Sequence, residues 1–184
     1  MRKLDGQIVI ITGGARGIGE GICKVFCNEG ATVALWDVLE EGQITADNIS
    51  ANGGNIFFQN VDVTSQESVD TAVKKIIDNH GKIDVLINNA GIIRDRSILK
   101  MTREEWDMVQ SVNVDSLFVT AKAVLPHMKA ANYGRIISAS SINAFQGAFG
   151  QTNYTASKAA IVGFTHSLCL SLIHISEPTR RRGI

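Results

Sequence analysis

The sequence predicts an α/β fold, a doubly wound parallel sheet with helices on both faces. Two observations carry that prediction. The short apolar runs are apolar throughout rather than alternating, as strands buried on both faces are. A longer amphipathic stretch separates each run from the next, and right-handed crossovers then place the helices on the two sides of the sheet. Ile8-Val9-Ile10-Ile11 reads as the first strand and Gly17 to Glu29 as the helix after it. Thr32 to Trp36 is the second strand, followed by a polar helix from about Glu40 to Ala51. Ile56-Phe57-Phe58 is the third strand. Thr64 and Glu67 have the spacing of a capping box and open a helix that ends near Gly81. Val85-Leu86-Ile87 is the fourth strand. Thr102 and Glu105 form a second capping box, and a long helix runs from there towards Ala131, bent at Pro126. Arg135-Ile136-Ile137 is the fifth strand, and a last helix starts near Tyr154.

The 184 residues suffice for one domain with a real core, and no internal repeat or interdomain linker interrupts them. Lys and Arg number 18 and Asp and Glu 18, so charge gives no reason to expect nucleic acid or an anionic membrane as a partner. Three cysteines make no disulfide framework. Cys23 and Cys27 share a helix face but lack the paired spacing of a zinc site, so no metal is expected and buried thiols in a reducing compartment are. The apolar run near the start is too short for a signal-peptide core or a membrane span, which leaves a cytoplasmic protein as the expectation.

The first strand runs directly into Thr12-Gly13-Gly14-Ala15-Arg16-Gly17-Ile18-Gly19 and then a helix. Glycines there let backbone approach a pyrophosphate, and the helix start offers unpaired N–H groups and a positive dipole end. Gly13, Ala15, Arg16, Gly17, Ile18 and Gly19 are therefore candidate dinucleotide contacts in a Rossmann-type arrangement. Asp37 ends the second strand, 18 residues after Gly19. A carboxylate at that place accepts hydrogen bonds from ribose hydroxyls and repels a 2′-phosphate, which favours NAD(H). Arg16 pulls towards NADP(H), and Asp37 could also simply cap the following turn. Asp62 and Val63 follow the third strand and suit an adenine ring; the alternative is an Asx turn. Asn89, Ala90 and Gly91 follow the fourth strand, where small residues admit a cofactor closely.

Tyr154 and Lys158 are four residues apart at the start of a helix and share a face. A phenol of pKa about 10 is a poor base at neutral pH, and an ammonium beside it favours the phenolate. Tyrosine can then exchange a proton with a substrate oxygen as hydride moves. Ser141, 13 residues upstream, could hold a carbonyl oxygen. Asn113 lies inside the long helix, a poor place for asparagine unless its side chain is used elsewhere. It is either an exposed polar position or the mark of a helix distortion that places a water for proton relay to Lys158.

Taken together, the glycine loop, Asn88-Asn89-Ala90-Gly91, Asn113, Ser141, Tyr154 and Lys158 resemble the short-chain dehydrogenase/reductase family, in its order and spacing, from Met1 to about Cys169. The resemblance implies an NAD(P)-dependent oxidoreductase that interconverts a carbonyl and a hydroxyl. It implies Tyr154 as acid/base, Lys158 as its pKa modulator and ribose ligand, Ser141 as carbonyl positioner and Asn113 as relay anchor. It also implies a homotetramer or homodimer. Gly91-Ile92-Ile93-Arg94-Asp95 and Glu104-Glu105-Trp106 look most like the 3-oxoacyl-[acyl-carrier-protein] reductases, with an acyl thioester or small molecule as substrate. Asn132-Tyr133 stands where those reductases often carry a basic residue, and Asp37 departs from their NADP preference. Sugar, polyol and alcohol dehydrogenases of the same family share much of the pattern. A nucleotide-binding protein without catalysis is the reading from another class.

The stretch from Leu170 to Ile184 does not look like this family. It resembles the translation of a sequencing adapter, so residues 1–169 are expected to be an incomplete domain and 170–184 a read-through tail. The sheet is then expected to lack its last strands, and such a chain to be inactive.

Overall fold

The computed structural model describes residues 2–172. Five strands form one sheet: β1 (Ile8–Thr12), β2 (Thr32–Asp37), β3 (Asn55–Asn60), β4 (Val85–Asn88) and β5 (Arg135–Ser138). All neighbours run parallel, in the order β3-β2-β1-β4-β5. The helices between them are α1 (Gly17–Asn28), α2 (Glu41–Ala51), α3 (Gln66–His80), α4 (Arg103–Gln110) and α5 (Ser116–Ala130). A short α6 (Asn143–Gln146) and a long α7 (Thr152–Leu172) follow β5. This is the doubly wound Rossmann-type sheet that the apolar runs predict.

Two cores sit on opposite faces of the sheet. Ile8 and Ile10 point to one face, where they meet Val69, Val73 and Ile76 of α3 and Val124 and Met128 of α5. Val9 and Ile11 point to the other, against Cys23 and Cys27 of α1 and Ile49 of α2. Adjacent apolar residues thus serve both layers, which is why the strand reads as an unbroken run. Burial pushes the Cys23 thiol up to about 12 and that of Cys27 to about 11, so both sulfurs are packing groups. The outer edge of β5 is paired with no strand among the described residues, and Ile137 on it is 51% exposed.

Helix boundaries differ from the sequence-based expectation in three places. The N-cap of α3 is Ser65, whose hydroxyl accepts from the Ser68 N–H, and not Thr64 with Glu67. Asp62 captures both the N–H and the hydroxyl of Thr64, which shifts the helix start by one residue. The capping box of Thr102 and Glu105 forms as expected. The helix continues through Pro126, and a π-helical turn over Ser111–Asp115 interrupts it earlier, between α4 and α5. The four-residue α6 has no signal in the hydrophobic pattern.

In a parallel sheet all strands end on one rim. The order reverses between β2 and β4 around β1, and a crevice opens at that point beyond the carboxyl ends. The segments after β1, β2, β3 and β4 gather there.

Candidate active site

A cleft of about 640 Å³ occupies the rim. Gly13, Arg16, Ile18 and Gly19 of the first loop line it, with Asp37, Asp62, Val63, Asn89, Ala90 and Gly91. The loop is held by close packing in which glycine is required. At Gly13, with φ +66°, a Cβ would lie 2.8 Å from the Ala90 Cα. At Gly19 a Cβ would collide with the Gly13 carbonyl. Asn89 staples the two loops together by donating to the Thr12 and Gly13 carbonyls, 3.1 Å each. The Thr12 hydroxyl accepts from the N–H groups of Asn89 and Ala90 at 3.0 Å, buried among them.

Two loop residues are not among those that line the cleft. Ala15 is 1% exposed, and its N–H donates to Asp37 Oδ2 at 3.0 Å. Its carbonyl accepts from Thr45 at 2.6 Å, so Ala15 anchors the loop instead of facing the cleft. Gly17 starts α1 in a left-handed conformation at φ +59° and is exposed. Asp37 caps the turn, its Oδ1 accepting from Leu39 N–H, and it also lines the cleft. Asp62 likewise forms the Asx turn with Thr64 while lining the cleft.

A nicotinamide dinucleotide fits this cleft. The N-cap of α1 is Arg16, in extended backbone, and no side chain caps the helix. Its first N–H groups and dipole are left to an anion, as a pyrophosphate requires. Carboxylates stand at one end of the cleft and Gly91, Ile92 and Val112 at the other. Among the described residues no group of three or more His, Cys, Asp or Glu could hold a metal ion, and no helix is long and apolar enough to cross a membrane.

Lys158, Tyr154, Asn113 and Gly91 meet at that second end. Lys158 is 5% exposed; its Nζ donates to the Ala139 carbonyl at 2.7 Å and lies 5.6 Å from the centre of the Tyr154 ring. Burial pushes the Lys158 ammonium below its ordinary range. A Cβ on Gly91 would be 3.2 Å from Asn113 Oδ1 and 3.7 Å from Lys158 Nζ, so the glycine keeps this corner open to the cleft. Asn113 is 1% exposed, which excludes the surface reading. It sits in the π turn, donates to Ile92 O and Ser157 Oγ, and accepts from Ile92 N–H. Ser141 follows β5, and its Oγ accepts from Asn143 N–H at 3.2 Å.

Several supporting residues escape a sequence reading. Ser140 donates to the Lys158 carbonyl at 2.9 Å. Asn153 is fully buried; it donates to Arg94 O and accepts from Tyr154 N–H. Its one sequence signal is an asparagine at a helix start.

The fold, the glycine loop on a parallel-sheet rim and the Tyr154–Lys158 pair define a dinucleotide-dependent oxidoreductase. A family model described as short chain dehydrogenase matches residues 7–175, and the chain belongs to that family. Among its curated relatives is the 3-oxoacyl-[acyl-carrier-protein] reductase FabG of Chlamydia pneumoniae, 46% identical over 166 residues, covering 90% of this chain and 67% of the relative. The FabG of Escherichia coli is 38% identical over 167 residues, with the same shares covered. A peroxisomal hydratase-dehydrogenase-epimerase of Neurospora crassa is 36% identical over 176 residues, covering 90% of this chain and 19% of that protein.

Proposed function

We propose that this protein reduces 3-oxoacyl thioesters on a carrier to the 3-hydroxy form. The observation that carries the reading is the buried Lys158 ammonium, fixed by the Ala139 carbonyl beside the Tyr154 ring and next to Gly91 of the cleft. Its charge, poorly screened there, favours the phenolate that remains once the phenol has given up its proton. Tyr154 gives that proton to the substrate carbonyl oxygen, and the Ser141 hydroxyl donates to the same oxygen. Asn113 braces the π turn and anchors proton relay back to Lys158. Gly13, Arg16, Gly17, Ile18 and Gly19 hold the pyrophosphate end, Asp37 the ribose, Asp62 and Val63 the adenine, and Asn89, Ala90 and Gly91 the nicotinamide half with Lys158. The dinucleotide, when bound, supplies the hydride. The names of the FabG relatives support the acyl substrate. NADH consumption by the protein expressed from its complete reading frame, with a 3-oxoacyl thioester beside a panel of ketones, sugars and polyols, tests it. Turnover is expected with the thioester; turnover confined to a sugar or polyol, or none at all, overturns the reading.

NAD(H) is the proposed coenzyme, because Asp37 presents a carboxylate to the cleft where a 2′-phosphate would lie. kcat/KM is expected to favour NADH over NADPH by about tenfold or more, the effect of about 1.4 kcal/mol. Asp37→Ser removes the repulsion, leaves Arg16 to pair with a phosphate and should bring the ratio to unity or below. Equal use of both coenzymes by the unaltered protein would defeat this assignment. A cytoplasmic homotetramer or homodimer belongs to the same proposal.

Residues 170–184 are proposed to be read-through from an adapter. The family match reaches residue 175, past that boundary, so the encoding DNA decides. Codons for Leu170 onward that differ from the adapter would show the tail to be natural.

A further inference from the structure

The mechanism above uses Ser141 but leaves open what aims its hydroxyl. Ser141 lies in the segment after β5, whereas Tyr154 rides on α7, and the loop between them contains Gly147 and Gly150 at positive φ. That loop does not fix two groups relative to each other by backbone stiffness alone. A chain of amide hydrogen bonds does. Asp95 Oδ2 accepts from Gln151 Nε2 at 2.9 Å, and Gln151 Oε1 accepts from Asn143 Nδ2 at 2.8 Å. The Asn143 backbone N–H then donates to Ser141 Oγ.

The chain has a direction set by chemistry. An ionised carboxylate only accepts, so Asp95 turns the Gln151 amide with its N–H towards Asp95 and its carbonyl towards Asn143. That carbonyl draws the Asn143 amide in, and the Asn143 N–H fills one lone pair of Ser141 Oγ. Filled from that side, the hydroxyl directs its own proton elsewhere, as donation to a carbonyl oxygen requires. Gln151 is also tied to Tyr154: its carbonyl accepts from Thr155 N–H at 2.7 Å, in the first turn of α7. Next to it, Gly150 O accepts from Arg96 N–H at 2.8 Å, pinning the loop to the segment that carries Asp95.

We infer that Gln151 is a positioning residue that sets the Ser141 hydroxyl against the Tyr154 phenol through Asn143, with Asp95 fixing the orientation of its amide. The inference rests on the catalytic reading above. Gln151→Leu keeps the bulk and removes the relay. In the protein expressed from its complete reading frame, kcat is expected to fall about tenfold or more, as misplacement of a reacting group does. KM for NADH should hold, because no cleft residue is touched. Gln151→Glu places a second carboxylate against Asp95 and should lose a similar factor. The pair Asp95→Asn with Gln151→Glu restores one donor and one acceptor in reversed order and should recover most of kcat. A general structural role would not produce that recovery. If the unaltered protein turns over and Gln151→Leu stays within twofold of it, or the double variant is no better than Gln151→Glu, the inference fails while the catalytic reading stands. An unaltered protein with no turnover overturns both.

Discussion

Tyr154→Phe should lower kcat for carbonyl reduction by about a thousandfold while NADH binds as before. The expectation follows from the proton transfer proposed for one oxygen atom. Loss of a positioned general acid costs about 10²–10⁴ in rate. The neighbouring groups are held by other partners: Lys158 by the Ala139 carbonyl, and the backbone N–H of Tyr154 by Asn153. Phenylalanine keeps the ring beside the Lys158 ammonium, so the local packing persists. The variant should therefore melt within about 0.5 kcal/mol of the unaltered protein, as substitutions outside special features do. NADH titration by fluorescence and single-turnover reduction separate binding from chemistry. A Phe variant within tenfold of normal turnover would remove Tyr154 from the chemistry.

Gly19→Ala should be the most damaging single methyl in the cleft. Its Cβ would strike the Gly13 carbonyl and stand 2.8 Å from Asn89 Nδ2. Those are the two groups that staple the glycine loop to the segment after β4. Backbone has to move, and overpacking of that kind costs about 1–3 kcal/mol. The displaced loop is also the proposed pyrophosphate seat, so a loss of about 2–3 kcal/mol there weakens dinucleotide affinity about 30- to 150-fold. Gly21→Ala is the matching control: it lies in the same helix, and its Cβ meets nothing within 4 Å. That change should leave affinity alone and add helix propensity, up to about 1 kcal/mol. Dinucleotide titrations and thermal melts of the two variants, side by side, check the contrast. Equal behaviour would mean that close loop packing does not shape the site.

Much of the arrangement was legible because its causes are local. Glycines in a strand-loop-helix context announce a backbone that must approach something closely. Four-residue spacing puts Tyr154 and Lys158 on one helix face whatever lies around them. An asparagine out of place at 113 marked the π turn. Other features had no local cause. Ser65 displaced Thr64 as the cap of α3 because Asp62 claimed Thr64. Ala15 turned inward because the Asp37 carboxylate, 22 residues on, took its N–H.

The sequence by itself determined the parallel sheet, the glycine-rich loop after β1 and the shared helix face of Tyr154 and Lys158. Those follow from hydrophobic run length, glycine's freedom and the helical repeat, all of which act over a few residues. Only the tertiary structure decided what holds those groups in place: the Ala139 carbonyl on Lys158, Ser157 on Asn113, and Asp95 through Gln151 on the Ser141 turn. Each of those bonds joins segments that are distant in the chain and meet only when the sheet is assembled. A polar side chain with several possible partners finds its own by packing, and no periodicity records the choice.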